Sequence, residues 1–179
     1  KINTTEGRAV LHMALRNIGY RTYKYEGHNI MPDIKSVLSQ MKDFSESIRN
    51  GRWLGFSGKK IKDIVSIGIG GSSLGPRMVC EALRPYQSED LHVHFVSNID
   101  SSHLNQTLLQ LKQESTLFIV SSKTFLTQET ITNASSAKKW LFDFFDDKAA
   151  IKNHFIAIST NEAEVEKFGI QKSNIFKFW

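Results

Sequence analysis

Hydrophobic and polar residues alternate with two different rhythms along this chain, and the rhythm changes near residue 60. Before that point apolar side chains recur at the spacing of a helix buried on one face. Leu11, Leu15 and Ile18 make one such stripe, predicting a helix over residues 6–18, with Asn3 and Glu6 spaced as a capping pair and Gly19 as its stop. Residues 20–30, polar and aromatic with Gly27 among them, read as a connection. Pro32 then suits the first turn of a second helix. Its apolar face is Ile34, Val37, Leu38, Met41, Phe44 and Ile48, and Asn50-Gly51 ends it. Gly55, Gly58, Lys59 and Lys60 form a loop.

Beyond the loop the apolar residues come in short unbroken runs: 64–69, 93–96, 117–120 and 155–158, with a fifth candidate at 175–178. Such runs suit strands buried on both faces. Helical segments are expected between them at 74–83, 101–111, 128–144 and 161–168, the first stopping before Pro85. Strands alternating with helices imply right-handed crossovers and a parallel sheet. The predicted fold is α/β: a three-layer sandwich around a mainly parallel, flavodoxin-like sheet of five strands in the order 2-1-3-4-5. Residues 1–58 supply two extra N-terminal helices packed on a domain formed by residues 59–179.

Composition narrows the choice of partner. The net charge of +5 favours an anionic ligand, but the Lys and Arg residues are scattered and not interleaved with aromatics, which argues against nucleic acid. No apolar stretch approaches the ~20 residues that cross a bilayer, and residues 1–5 carry no secretory signal. The single cysteine, Cys80, fits a reducing, cytoplasmic setting. The chain stops at Trp179, inside an apolar run with no turn after it, which predicts a longer parent.

Two loops carry the candidate chemistry. In an open parallel sheet ligands bind beyond the carboxyl ends of the strands, where the strand order reverses. The loops after the first and third strands flank that point. The first, Gly68-Ile69-Gly70-Gly71-Ser72-Ser73-Leu74-Gly75-Pro76, lets backbone amides approach an anion and points a helix N-terminus at it. The same loop can be a bare strand-to-helix turn. It is a poor dinucleotide fingerprint, because Ser73 stands at the third glycine and Asp100 comes too late for the acidic residue. The second loop, Ser121-Ser122-Lys123-Thr124-Phe125-Leu126-Thr127-Gln128-Glu129-Thr130, offers a cluster of hydroxyls and one ammonium, the donor set a phosphate dianion needs. Its Ser and Thr side chains can alternatively cap their own backbone. The Lys-Thr pair lacks the upstream glycines of a nucleotide-hydrolysing loop.

At these loops the sequence resembles the glucose-6-phosphate isomerase family. Residues 67–72, continuing through Leu74-Gly75-Pro76, resemble the family's glycine-rich signature, and Ser122-Lys123-Thr124-Phe125 with residues 127–134 resembles its phosphate loop. Residues 5–12 and 95–100 are further matches, so the likeness runs along essentially the whole chain. It implies a sugar isomerase domain acting in glycolysis and gluconeogenesis on glucose 6-phosphate and fructose 6-phosphate. By that resemblance Gly71 and Ser72 contact the sugar phosphate. Ser122, Thr124 and Thr127 hold the phosphate with the backbone around Lys123, and Gln128 lies at the edge of the site. Ser73, Leu126 and Ser101 depart from the family, where Asp, Thr and Gly respectively are common.

Aldose–ketose isomerisation needs a base between C1 and C2, a group that opens the ring, and a cation near the enediolate. In the family these are a Glu, a His, a Lys and an Arg on later segments, the Arg in a Gly-Gly-Arg stretch expected just after Trp179. No residue here matches them. The resemblance therefore implies a binding part without catalytic residues, inactive alone, taking a hexose 6-phosphate and completed in a homodimer. It requires no metal and no cofactor. The rival expectation is a non-catalytic regulatory domain of the same fold that binds a sugar phosphate. The six histidines, Glu129 and the acidic cluster at residues 143–147 read as ordinary surface, cap or packing residues.

Overall fold

Five apolar runs pair into one parallel sheet in a computed structural model that describes residues 2–5 and 7–178. The strands are β1 (Asp63–Ile67), β2 (His92–Val96), β3 (Thr116–Ser121), β4 (Phe155–Ser159) and β5 (Ile175–Lys177). Their order is β2-β1-β3-β4-β5, as expected from the sequence. Ile67 sits opposite Val96 on one side and Val120 on the other, and Val120 opposite Ala157. Every neighbouring pair is parallel, so each strand must be reached by a crossover, and helices end up on both faces.

Alternate residues of each strand feed two separate cores. On one face Val65, Ile67, Val96, Phe118, Val120, Phe155 and Ala157 are buried. They lie beneath α4 (Ser101–Leu108), α5 (Gln128–Phe145), α6 (Ile151–His154) and α7 (Glu162–Phe168). Phe118 stacks on Phe155 at 4.8 Å and meets Trp140 of α5 edge-on. Burial of each such side chain is worth about 1.5–3 kcal/mol over exposure. The other face carries Ile64, Leu117, Ile119, Ile156, Ile158 and Phe176, met by α2 (Met31–Arg49). Phe44 of α2 packs edge-on against Phe176, and the Gln40 side-chain amide donates to the Ile175 carbonyl at 3.1 Å. On the same face α3 (Gly71–Ala82) lies beside Val93 and Phe95 of β2. Between α2 and the sheet an apolar groove of about 480 Å³ is lined by Met41, Ile64, Val93, Ile119 and Ile158.

The helices mostly start and stop where the sequence places them. Pro32 sits in the first turn of α2, Gly51 follows it at φ +70°, and Asn161 caps α7 through the Glu164 amide. Two expectations need correction. The helix predicted over residues 6–18 is reduced to α1 (His12–Leu15). Instead residues 2–3 pair antiparallel with residues 8–9, and Gly7 turns at φ +62°. Ala14 is the buried residue of α1, packed with Ile30, Met31 and Ile34, whereas Ile18 is fully exposed. The patch offered by the start of α2 is one turn long, so only one turn of partner helix is stabilised. Glu6, half of the expected capping pair, lies outside the described residues, as does Trp179. Within the expected connection a short hairpin pairs residues 24–25 with 28–29. Glu26 and Gly27, both at positive φ, make its two-residue loop.

The second correction concerns α3. It starts at Gly71, not at Leu74, so Gly71, Ser72 and Pro76 are helical. Pro76 lacks the N–H that would reach the Ser72 carbonyl, and the helix continues past it.

At the opposite end of the sheet from the candidate loops, His154 locks the segment before β1 in place. Its Nδ1–H donates to the Thr116 carbonyl at 2.7 Å, and its Nε2 accepts from the Phe56 N–H at 2.8 Å. A carbonyl only accepts and an amide only donates, so these partners fix the neutral tautomer.

Candidate functional site

The strand order reverses between β1 and β3, and both candidate loops leave the sheet there, at adjacent carboxyl ends. Gly68 follows β1 and packs directly on the end of β3. A Cβ on Gly68 would lie 3.1 Å from the Ser121 carbonyl oxygen and 3.0 Å from that of Ser72. Glycine is therefore what allows the two loops to touch. Gly70 answers a different need. Its backbone at φ +57°, ψ −128° is a conformation essentially restricted to glycine, and it reverses the chain into α3. Its carbonyl accepts from the Ser73 and Leu74 amides at 3.0 and 2.9 Å. Gly71 is exposed and Ser72 half-buried, both in the first turn of α3, while Ser73 is buried.

The second loop is organised around the Ser122 hydroxyl. Ser122 continues the ladder, its N–H donating to the Ile158 carbonyl at 3.1 Å, and the residue is buried. Its Oγ accepts from the Phe125 N–H at 3.1 Å and lies 3.2 Å from the Thr127 Oγ1. The Thr124 hydroxyl accepts from the Leu126 N–H at 3.3 Å. The chain reverses at Phe125, which has φ +57° despite its large side chain. That ring is 3% exposed and packs edge-on against Phe168 of α7, so burial offsets a backbone strain of about 1–3 kcal/mol.

Thr127 then stands at the N-cap of α5, where its side chain makes no capping hydrogen bond and faces Ser122 instead. The amides at the start of this 18-residue helix open at the same end of the sheet, presenting the positive end of its dipole. Lys123 and Gln128 are exposed, Thr124 and Thr127 half-buried. One turn in, the Thr130 hydroxyl is buried without a hydrogen-bond partner among the described atoms.

Two neighbouring loops hold this pair. The Asn133 side-chain amide, on α5, donates to the Asn98 carbonyl at 2.7 Å and ties in the loop after β2. The loop after β4 binds the second loop's backbone. The Lys123 carbonyl accepts from the Thr160 N–H at 3.0 Å, the Thr160 hydroxyl at 2.7 Å and the Ser159 hydroxyl at 3.2 Å. The Thr124 carbonyl accepts from the Asn161 side-chain amide at 3.0 Å. Sequence reading missed these three residues. Ser159-Thr160-Asn161 directly follows a strand, which was the available signal, but it reads equally well as a helix cap. Nearby, the Lys177 ammonium at 2.8 Å holds the Glu162 carboxyl below its usual range, with Lys172 adding to the effect.

Hydroxyls, backbone amides and a helix N-terminus thus converge at a topological switch point, while among the described residues no three His, Cys, Asp or Glu side chains group as a metal site. Fold and site together define an α/β protein with a five-stranded parallel sheet whose loops after β1 and β3 adjoin at the switch point. The chain belongs to the phosphoglucose isomerase family, whose sequence model matches residues 1–179.

Among solved structures it is similar to a glucose-6-phosphate isomerase from Chlamydia trachomatis, with 27% identity and a TM-score of 0.77 over 97% of this chain. It spans 31% of that protein's length. A hypothetical protein from Thermus thermophilus shares the fold, with 20% identity and a TM-score of 0.62, over 82% of this chain and 32% of that one. No helix among the described residues is long and apolar enough to cross a membrane.

Proposed function

We propose that this chain is the phosphate-holding part of a glucose-6-phosphate isomerase, an enzyme that interconverts glucose 6-phosphate and fructose 6-phosphate. Residues 59–179 are then its sugar-phosphate-binding domain, on which the segment 1–58 packs. The observation that supports this best is the contact of Gly68 with Ser121, which sets a glycine loop and a hydroxyl loop side by side at the switch point. Ser122, Thr124 and Thr127 would give hydroxyl hydrogen bonds to the phosphate, together with the backbone amides around Lys123. Gly71 and Ser72 would approach the sugar phosphate from α3, with Gln128 at the rim. A phosphate dianion is well served here, because hydroxyls and amides bind it without requiring a buried counter-charge.

The acid–base steps need a base, a ring-opening group and a cation, and none of the residues gathered at the crevice takes those roles in this reading. The chain then binds substrate and is inactive alone, with the catalytic residues on other parts of the enzyme and a second subunit completing the site. Calorimetric titration with glucose 6-phosphate or fructose 6-phosphate should show binding, and amides of residues 122–127 should gain protection. Absence of both overturns the binding reading. Turnover by this chain in an isomerase assay overturns its inactivity.

A further inference from the structure

We infer that Thr160 and Asn161 are positioning residues of the candidate phosphate site: they hold the Lys123 and Thr124 carbonyls outward, which leaves the Thr124 amide for the anion and keeps the Phe125 amide on the Ser122 hydroxyl, fixing that hydroxyl in place. This rests on the phosphate reading given above.

The geometry follows from the planarity of the trans peptide, in which C=O and N–H of one unit point in opposite directions. The Thr124 carbonyl is drawn toward α7 by the Asn161 amide at 3.0 Å. The N–H of the same peptide unit, that of Phe125, accordingly points the other way, onto the Ser122 hydroxyl at 3.1 Å. The preceding unit is held more firmly. Its carbonyl, that of Lys123, accepts from the Thr160 N–H, the Thr160 hydroxyl and the Ser159 hydroxyl. With that carbonyl turned to the loop after β4, the Thr124 N–H of the same planar unit points away from that loop. The turn is thereby set before any ligand arrives, with the Phe125 amide anchoring the Ser122 hydroxyl, so binding need not order it.

Two of the three residues that do this also have local duties. Ser159 Oγ accepts from the Asn161 N–H at 3.1 Å, and Asn161 Oδ1 accepts from the Glu164 N–H as the cap of α7. A purely structural role would therefore look similar in a stability measurement, and the variants must separate the two. Thr160→Val removes one hydroxyl donor and keeps the shape. Asn161→Asp keeps the capping oxygen and replaces the amide donor by a carboxylate oxygen that repels the Thr124 carbonyl. Thr160→Ser keeps the hydroxyl.

The test titrates the full chain and each variant with inorganic phosphate and with glucose 6-phosphate, alongside amide hydrogen exchange at Phe125 without ligand. Thr160→Val and Asn161→Asp should each weaken both ligands by about fivefold, the equivalent of one ordinary hydrogen bond. Exchange at Phe125 should quicken in both. Thr160→Ser should restore affinity and protection to the starting values. Unchanged affinity in both Thr160→Val and Asn161→Asp, with the parent chain binding normally, overturns this proposal and leaves the phosphate site standing. A loss that Thr160→Ser fails to restore also overturns it, since packing and not the hydroxyl would then be responsible. If the parent chain binds neither ligand, the phosphate reading itself fails; slower or unchanged Phe125 exchange in the variants then overturns the positioning role independently.

Discussion

Gly68 and Ser121 stand so close that a Cβ on the first would lie 3.1 Å from the carbonyl oxygen of the second. The atoms pressing on Gly68, the Ser121 and Ser72 carbonyl oxygens and the Ser72 Cβ, are backbone or fixed directly to it and cannot swing aside like the end of a flexible side chain. Gly68→Ala should therefore push the loop after β1 away from β3 and destabilise the chain by about 1–3 kcal/mol. It should also weaken phosphate binding. Thermal melting and calorimetry check both effects, and a variant with unaltered melting and affinity would show that the contact is not a constraint.

Gly70→Ala separates conformational strain from crowding. No atom lies within 4 Å of where a Cβ on Gly70 would sit, yet its φ is +57°. The expected cost is again about 1–3 kcal/mol, here from the backbone alone. Asn, whose tolerance of positive φ is confined to the αL region, should recover little of the loss, because ψ at Gly70 is −128°. An Ala variant that melts like the unsubstituted chain would contradict this account.

Thr124→Ala asks whether a hydroxyl serves the ligand or the loop. Its present partner is the Leu126 N–H at 3.3 Å in an exposed turn, so its removal should cost little stability. If the hydroxyl binds phosphate, affinity should fall by about 1–2 kcal/mol, measured by titration with a hexose 6-phosphate. Unchanged affinity would assign Thr124 to the turn.

His154 predicts an acid-sensitive step away from the site. Burial lowers the imidazole pKa, and this outweighs the hydrogen bond to the Thr116 carbonyl, which acts to raise it. Protonation would also cost the Phe56 N–H its acceptor. The unfolded chain therefore takes up the proton first, near the ordinary value of 6.5. Stability is retained above that pH and declines as pH falls below it. The Glu114 carboxyl, held below its usual range chiefly by its hydrogen bond to Lys59, is lost only in a more acidic window. Melting temperature measured from about pH 7.5 down to about pH 5, a range chosen to bracket the ordinary His value, should drop, and His154→Gln should flatten that drop. A flat profile in the parent chain would refute the argument.

The inner strands β1, β3 and β4 were legible in the sequence because a parallel strand covered on both faces must be apolar at nearly every position. Val65, Ile67, Phe118 and Val120 serve one core while Ile64, Leu117 and Ile119 serve the other, leaving no polar side to blur the signal. Helix periodicity was less decisive. The stripe Leu11, Leu15 and Ile18 satisfies a helix, but only Leu11 packs with the small third cluster, and Ile18 is left in water. Whether a stripe becomes a helix depends on the length of the surface it meets, which local spacing does not encode.

The same division runs through the site. Glycines 68 and 70 and the hydroxyls of residues 122, 124 and 127 stood out by type and by their place after apolar runs, so the sequence by itself singled out the two loops proposed to hold the phosphate. Tertiary structure decided that the loops meet, through the order of β1 and β3 and the absence of a side chain at Gly68. It also decided what orients them. Thr160 and Asn161 are ordinary cap residues in the sequence, each lying 37 positions beyond the residue whose carbonyl it holds, Lys123 and Thr124 respectively. Only because β4 is hydrogen-bonded to β3 does their loop reach those carbonyls, since strand pairing brings distant segments within hydrogen-bonding range.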